Sequence, residues 1–238
     1  QEYQHITKQI SLPCFRNCGI MNGNQDAKLA HAAIPPDCDD KYNDFSADQI
    51  VTPSRDTEWN EINGKWYMSA YSDGSAFNPT SKYLARAGWG VFYANDSEHN
   101  ASGHLYGPIQ TSYRAEVRAI LEIVRTAVHL TIIFCDCESV VNTLQSIIDN
   151  NLVDIDNLAD GDFWYAIREI VNASPKDFFR CKWIPSHCND EGNETKKQEM
   201  LDQKLVTEEQ IRGNDCADEL AKSGAAKHQV EERILLAQ

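Results

Sequence analysis

The chain has 238 residues, which is enough for one sizeable core plus an extension, or for two small domains. Its composition, 42% hydrophobic and 24% charged, is that of an ordinary globular protein. No apolar run is long enough to span a bilayer, and the first residues lack the cationic and apolar pattern of a signal peptide. The net charge of −14 argues against a protein that binds nucleic acid through charge alone, but it leaves open an enzyme that reaches phosphate through a divalent metal ion.

Residues 1–64 differ from the rest of the chain. They are rich in proline and in Asn-Gly and Asp turn signals, and they show little periodicity, which predicts a loop-rich N-terminal extension or linker. Four of them are residue types that bind zinc, but their spacing matches no common zinc finger, so zinc stays a secondary alternative: Cys14, Cys18, His31 and Cys38. The eight cysteines are scattered, which indicates mostly reduced thiols in an intracellular protein of the nucleus or cytoplasm.

A regular pattern begins at Lys65. Residues 66–71 alternate between two sets of side chains, which predicts a half-buried strand, and Asp73-Gly74-Ser75 then supplies turn chemistry. Asp73 is therefore expected at the end of this strand. Residues 88–94 and 101–106 are predicted as a second and a third strand, and the short connections favour an antiparallel meander.

Helices and strands alternate in the remainder. Helical spacing of apolar residues predicts helices at 112–128, 139–148 and 163–171, and a last helix that residues 213–215 open and Gly224 ends. Nearly continuous apolar runs predict covered strands at 130–136 and 178–184. The order predicts an α/β fold with a mixed five-stranded sheet, three antiparallel strands followed by parallel ones, and helices on both faces.

Four acidic residues have positions that the predicted elements would bring together. Asp73 ends the first strand, Glu116 lies in the first turn of the first helix, Asp136 ends the buried strand, and Asp215 begins the last helix. Binding sites in α/β sheets form at strand ends and helix starts. Alone, Glu116 would be explained by a favourable helix dipole and Asp215 by its place at a helix start. Asp136 is harder to explain in this way, because a charge that ends an apolar run needs a reason. Four carboxylates in one place would repel one another unless a cation lay between them, and oxygen ligands of this kind suit Mg²⁺.

Seven short blocks carry a resemblance to a known family. Over residues 65–228 the sequence resembles type 1 ribonuclease H, in its cellular and retroelement forms. The matching blocks are Ser72–Ser75, Ala87–Gly90, Thr111–Val117, Cys135–Val140, Asp162–Trp164, Lys182–His187 and Gly213–Ala221. They occur in the family's order and on the predicted elements. The resemblance implies a ribonuclease H-like fold for this region, followed by a C-terminal tail at residues 229–238.

The resemblance also implies an activity, which is hydrolysis of the RNA strand of RNA–DNA hybrids. Two Mg²⁺ ions, with Mn²⁺ able to substitute, would be bound by Asp73, Glu116, Asp136 and Asp215, with Asp73 shared between them. Such ions lie about 3.5–4 Å apart, and one activates water while the other stabilises the leaving 3′-oxygen. His187 would lie on a mobile loop and assist proton transfer or product release, because histidine titrates near neutral pH.

Substrate selection would depend on the shape of the hybrid and its 2′-hydroxyl groups rather than on base sequence. The candidates for substrate contact are Gly74, Ser75, Thr111, Ser112, Tyr113, Glu138 and Trp164. For Trp164 a position in the core is the favoured alternative to packing against the DNA strand, because tryptophan on a helix face is usually buried.

Three departures from the family pattern bear on hybrid binding. Ser112-Tyr113 stands where the family often has Asn-Asn, and Glu138 stands where it often has Gln. The connector at 149–162 is acidic, so the basic protrusion of some members is absent. A charged insertion at 191–212, expected to be helical, separates His187 from the last helix.

Two other functions remain as alternatives. One is a catalytically silent ribonuclease H-like module that binds hybrids or acts as a scaffold, against which the four intact acids argue. The other is a relative with a different reaction, such as a transposase, integrase or exonuclease. The acidic balance and the extension at 1–64 favour a retroelement polyprotein with an upstream reverse transcriptase domain over a cellular housekeeping enzyme, and no membrane partner is expected.

Overall fold

The computed structural model describes residues 51–81, 84–189 and 192–228. In chain order its elements are the strands and helices β1 (Trp59–Ile62), β2 (Lys65–Phe77), β3 (Arg86–Phe92), β4 (Ala101–His104), α1 (Ser112–Thr126), β5 (Thr131–Cys135), α2 (Glu138–Ile148), a short 3₁₀ helix (Ile155–Asn157), α3 (Gly161–Ala173), β6 (Phe179–Trp183), α4 (Glu194–Asp202) and α5 (Glu208–Ala226). The candidate zinc ligands Cys14, Cys18, His31 and Cys38 and the tail at 229–238 lie outside the described residues.

One mixed sheet organises these elements. Its strand order is β4-β3-β2-β5-β6, and β1 pairs with the first residues of β2. The pairs β1–β2, β2–β3 and β3–β4 are antiparallel, whereas β2–β5 and β5–β6 are parallel. The predicted mixed α/β sheet is confirmed.

The sheet has six strands, however, and not the predicted five. The additional strand β1 lies within residues 1–64, in what the sequence indicated to be loop. Asn63 and Gly64 both have positive φ, of 53° and 76°, and join β1 to β2 as a tight hairpin. The Asn-Gly pair is the turn that such hairpins prefer, because both central residues need a left-handed backbone.

Strand β2 is longer and more deeply buried than predicted. Parallel pairing with β5 ends at Ser72, opposite Cys135, but antiparallel pairing with β3 continues to Phe77, opposite Arg86. Asp73 therefore lies within a strand and not in a turn, although it is the first residue beyond the partner β5. Both faces of the strand are covered: Met68 packs in the core with α1, α2 and α3, whereas Tyr71 packs in a second core that includes residues of α5.

Helix α5 begins earlier than the sequence predicted. Its N-cap is Thr207, whose side chain accepts a hydrogen bond from the backbone N–H of Gln210. Gly213 therefore lies inside the helix, where a Cβ atom would come within 2.4 Å of the Tyr71 ring. Gly224 does not end the helix, which continues to Ala226. The glycines that suggested helix ends are instead points of close packing between α5 and the sheet.

Helix α4 occupies the predicted insertion, and the last residues of that insertion form the start of α5. The five cysteines in the described ranges are free thiols, as predicted. Within the same ranges, no helix combines the length and apolar character needed to cross a bilayer.

Candidate active site

Three carboxylates meet at the point where β5 ends beside β2. Asp73 of β2, Glu116 of α1 and Asp136, directly after β5, each place one oxygen within 4.8 Å of the other two. Asp73 and Glu116 are buried, and Asp136 is half-buried. The predicted convergence of these three acids is thus present in the structure.

The close approach of β2 and α1 puts Glu116 at this point. A Cβ atom on Gly74 would lie 2.3 Å from the backbone nitrogen of Glu116, so only glycine allows the strand and the helix to touch here. The sequence predicted Glu116 in the first turn of α1. Because α1 begins at Ser112 and is capped by Thr111, Glu116 lies in the second turn instead. The role of Glu116 as a simple partner of the helix dipole is therefore excluded.

Asp136 is held in place by two further elements. The indole N–H of Trp183 in β6 donates a hydrogen bond to the backbone carbonyl of Asp136, with an N–O distance of 2.9 Å. Asn214 of α5 donates from Nδ2 to Oδ2 of the same residue over 3.3 Å. The backbone of Asp136 is thus fixed relative to β6, and its carboxylate relative to α5.

The surroundings favour the neutral forms of all three acids. Burial, and then the charge of Asp136, raise the pKa of Asp73 from 3.8 to about 7. Burial and the charges of Asp73 and Asp136 raise the pKa of Glu116 well above its ordinary value. Burial also raises the pKa of Asp136, against the opposing effects of the Asn214 hydrogen bond and the charge of His187. Protein groups alone therefore leave much of the negative charge of the cluster uncompensated.

This donor set fits a hard divalent cation. Carboxylate and amide oxygens are the ligands that Mg²⁺ prefers, and a cation would relieve the repulsion that raises the three pKa values. Asn214 provides an independent indication, since its buried Oδ1 has no hydrogen-bond partner among the described residues. A buried acceptor of this kind ordinarily has a partner, and a bound cation or its water would supply one.

Helix α5 brings two acidic residues to the same cleft, and they differ in their surroundings. Asp215, the predicted fourth ligand, accepts a hydrogen bond from Nδ2 of Asn189, and it lies outside the cluster of three acids. Asp218 forms an ion pair with Lys222 at 2.6 Å, and its charge raises the pKa of both Asp73 and Asp136. The charge of Asp218 therefore contributes to the electrostatics of the cluster.

The sequence analysis did not single out Asp218, because it placed the start of α5 at residues 213–215 and considered the acid at that start. With that start, Asp215 would be the acid at the helix terminus. With the true start at Glu208, the apolar contacts of Ile211, Ala217 and Ala221 define the buried face of the helix. Asp218 lies next to that face, one turn after Asn214, so the helical phase of the sequence contained the signal.

Comparison with known proteins agrees with this geometry. A family model described as RNase H matches residues 65–226. The chain belongs to the RNase H family. No curated protein gives a significant match to it.

Three solved structures are similar to this chain. The prototype foamy virus protease–reverse transcriptase has 19% identity and a TM-score of 0.48, over 68% of this chain and 21% of that one. The PFV RNase H domain has 18% identity and a TM-score of 0.44, over 66% and 93%. RNase H1 from the archaeon Halobacterium salinarum NRC-1 has 13% identity and a TM-score of 0.38, over 67% and 98%. This chain thus corresponds to about a fifth of the foamy virus protease–reverse transcriptase.

In this RNase H chain, His187 lines the cleft of the acid cluster. It has a left-handed backbone with φ of 56°. Its charge lowers the pKa of Asp136, which means that the imidazole lies near that carboxylate. The backbone carbonyl of His187 accepts a hydrogen bond from Nδ2 of Asn193 at 2.8 Å.

The predicted substrate contacts of the RNase H domain fall into three groups. Four of them line the cleft: Gly74, Ser75, Ser112 and Tyr113. Thr111 caps α1 and is exposed beside the cleft, and Glu138 is exposed at the start of α2. Trp164 is fully buried in the core that α1, α2 and α3 share, so its predicted contact with the DNA strand is wrong and the core alternative is correct.

Proposed function

We propose that the chain is a metal-dependent endonuclease that hydrolyses the RNA strand of RNA–DNA hybrids. The observation that carries this proposal is the cluster of Asp73, Glu116 and Asp136, whose oxygens lie within 4.8 Å of one another in a cleft of a chain of the RNase H family. Burying three like charges together costs stability unless a cation binds there, so a role in structure alone does not account for the cluster.

Two divalent ions would be bound by Asp73, Glu116, Asp136 and a fourth acid from α5. We assign the fourth position to Asp218 in place of Asp215, because its charge acts on Asp73 and Asp136 and because it lies one helical turn from Asn214. Bound Mg²⁺ supplies Lewis acidity, which neutralises charge on the phosphate in the transition state and lowers the pKa of water.

The residues of the chain contribute orientation and proton transfer. Trp183 and Asn214 hold Asp136 in a fixed position, which reduces the reorganisation that substrate binding requires. Lys222 lies in the cleft beside Asp218 and places a cation where phosphate enters. His187, which lines the cleft near Asp136, would accept or donate a proton during attack or release of product.

Recognition of the hybrid would come from the residues next to the acids. Gly74 and Ser75 continue β2 beyond Asp73, and Ser112 and Tyr113 form the first turn of α1. Backbone groups and hydroxyls at these positions can contact 2′-hydroxyl groups in a wide minor groove, which distinguishes RNA from DNA. Thr111 and Glu138, exposed at the starts of α1 and α2, extend this surface.

Hybrid cleavage tests the proposal directly. The chain is incubated with an RNA–DNA hybrid, double-stranded RNA or double-stranded DNA, each with Mg²⁺ and with chelator. We expect cutting of the RNA strand of the hybrid only, and only with metal. The Asp136→Asn variant should not cut but should still bind hybrid, and cutting by this variant would refute the assignment. Hybrid binding without cutting by the unaltered chain would support the silent module, and preferential cutting of duplex DNA would support the other reactions of this fold.

We also propose that the chain acts within a retroelement polyprotein, beside an upstream reverse transcriptase domain. The net charge of −14 supports a neighbouring domain that supplies affinity for the hybrid, because phosphate contacts depend on Lys and Arg. Expression of the complete natural transcript with and without its upstream part tests this. A much lower KM for hybrid in the longer product is expected, and equal KM values would contradict the proposal.

A further inference from the structure

Helix α4 has polar contacts to the His187 loop but almost no share in the core. None of its residues is buried, and only Met200 and Leu201 pack against the edge of a core. The polar side chains at its start instead contact the loop at 186–189. An inserted helix with so little apolar contact is explained better by a role next to the cleft than by a contribution to the fold.

The first contact holds the histidine itself. Asn193, the N-cap of α4, donates a hydrogen bond from Nδ2 to the backbone carbonyl of His187 at 2.8 Å. His187 has φ of 56°, a left-handed conformation that non-glycine residues adopt only where neighbouring groups impose it. The Asn193 side chain is such a group, because its hydrogen bond restrains the peptide that follows the histidine.

A second set of contacts holds the loop after the histidine. Lys197 of α4 donates from Nζ to Oδ1 of Asn189 at 2.9 Å and forms an ion pair with Glu208 of α5 at 2.7 Å. The other end of the Asn189 amide donates to the carboxylate of Asp215. Asn189 is therefore fixed between α4 and α5, two residues away from His187.

We propose that α4 positions His187 over the acid cluster, with Asn193, Asn189 and Lys197 as positioning residues. On this view Asp215 is the fixed point on α5 to which the loop is attached. This inference rests on the proposed function, in which His187 acts in cleavage. The helix thereby fixes a catalytic side chain that would otherwise lie on a loop free to move.

Variants that differ in one hydrogen bond test the proposal. Asn193→Ala removes the donor to His187, and Asn193→Asp keeps the shape but offers only an acceptor. Gln198→Ala is the matched control, because the Gln198 side chain donates a hydrogen bond from Nε2 to Oδ1 of Asp202 within α4, at 2.7 Å, away from the His187 loop. Each variant is made in the unaltered chain and with His187→Ala, and kcat and KM for hybrid are measured at saturating Mg²⁺.

We expect Asn193→Ala and Asn193→Asp to lower kcat about tenfold with little change in KM, and Gln198→Ala to change neither. In the His187→Ala background the Asn193 substitutions should have almost no further effect, since residues that act through one group are not additive. Lys197→Met should behave like Asn193→Ala, and Lys197→Arg should restore most of the loss. Equal losses in both backgrounds would overturn the proposal.

A measurement without substrate separates this proposal from the proposed function. The His187 imidazole proton signals are followed by NMR in the unaltered chain and in each variant. Asn193→Ala should shift and broaden these signals and Gln198→Ala should not, whether or not the chain cuts hybrids. Unchanged His187 signals in Asn193→Ala would refute the positioning role, even if the chain is an active nuclease.

Discussion

Asn214 donates a hydrogen bond from Nδ2 to Oδ2 of Asp136 over 3.3 Å and so fixes the rotation of α5 relative to the end of β5. Successive residues of an α-helix are rotated by about 100° around its axis. Asp218, four residues after Asn214, is thus rotated by only about 40° from the residue that contacts the cluster, whereas Asp215 is rotated by about 100°. The phase of α5 therefore favours Asp218 as the acid that completes the site.

The two aspartates of α5 should respond differently to substitution. We expect Asp218→Asn to lower kcat for hybrid cleavage about 100-fold or more, since it removes the proposed fourth metal ligand. Asp215→Asn should lower kcat about tenfold or less, because Asp215 is hydrogen-bonded to Asn189 and lies outside the cluster of three acids. Single-turnover cleavage at saturating Mg²⁺, with the melting temperature as a folding control, measures both. A larger loss in Asp215→Asn would restore the ligand assignment made from sequence.

Local patterns predicted most of the fold, because strand and helix periodicity is written in neighbouring residues. The apolar run before Asp136 and the helical spacing in α1 indicated the correct elements. Strand β1 was missed, since four residues beside Asn63-Gly64 give too little alternation to distinguish a hairpin from a loop. The burial of both faces of β2 was also missed, because it depends on packing by α5, which is distant in sequence.

From the sequence, candidate site residues could be recognised only where they lie near the ends of predicted strands or the starts of predicted helices. Asp73, Glu116 and Asp136 were predicted in this way, and the structure brings these three acids together. The proposed ligand Asp218 was not predicted, because it lies in the interior of α5, where only its spacing relative to the buried face of the helix indicates its position. The contacts of α4 with the His187 loop were beyond sequence reasoning as well, since they join side chains whose proximity follows from the packing of an inserted helix.

Repulsion in the acid cluster should make the metal-free protein less stable as pH rises. The pKa of Asp73 is about 7 in the folded protein against an ordinary value of 3.8, so the folded state binds more protons between these values. The free energy of unfolding therefore falls as pH rises from about 4 to about 7 and stays low above that. We expect Asp73→Asn to weaken this dependence of stability on pH. In chelator at about pH 8, Asp73→Asn should have a higher melting temperature than the unaltered chain.

Saturating Mg²⁺ should give the unaltered chain a higher melting temperature than Asp73→Asn, the reverse of the order in chelator. A ligand that binds only the folded state stabilises it, and the unaltered chain has the more complete set of carboxylates. Thermal unfolding of both proteins from about pH 4.5 to pH 8, with chelator and with Mg²⁺, provides the measurement. The same pH dependence in both proteins would contradict the shifted pKa of Asp73.

Close packing between α5 and β3 should tolerate no side chain at Gly88. A Cβ atom there would lie 1.9 Å from the backbone nitrogen of Ala225, and backbone cannot rotate away as a side chain can. We expect Gly88→Ala to cost about 3 kcal/mol in the free energy of unfolding, measured by urea denaturation. It should also weaken Mg²⁺ binding, since displacing α5 moves Asn214 away from Asp136.

Gly64→Ala is the matched control for this substitution. Nothing lies within 4 Å of a Cβ atom at Gly64, but its φ of 76° is unfavourable for alanine. Its cost should be about 1 kcal/mol, without an effect on Mg²⁺ binding. Equal costs at Gly64 and Gly88 would mean that α5 can move away from β3 without loss, contrary to the packing described.

Arg114 joins the start of α1 to the start of α3, two residues before Glu116. Its guanidinium contacts carboxylate oxygens of Asp160 and Asp162 at 2.6 Å each and lies over the Phe163 ring, 4.0 Å from the centroid. Arg114→Met would leave the buried carboxylate of Asp160 and the partly exposed carboxylate of Asp162 without this cation, so we expect a loss of about 3 kcal/mol in the free energy of unfolding. Arg114→Lys should recover only part of this, since lysine cannot form the paired contact with Asp162.

A second substitution separates the buried charge from the lost packing. Asp160 is only 6% exposed at its side chain, and burial raises its pKa even with Arg114 beside it. In Arg114→Met the additional change Asp160→Asn removes one uncompensated charge, so the double variant should be more stable than the single one at neutral pH. If Asp160→Asn instead destabilises that variant further, the stability lost in Arg114→Met comes from the packing of Arg114 on Phe163. The ion pair would then not be what holds α1 against α3.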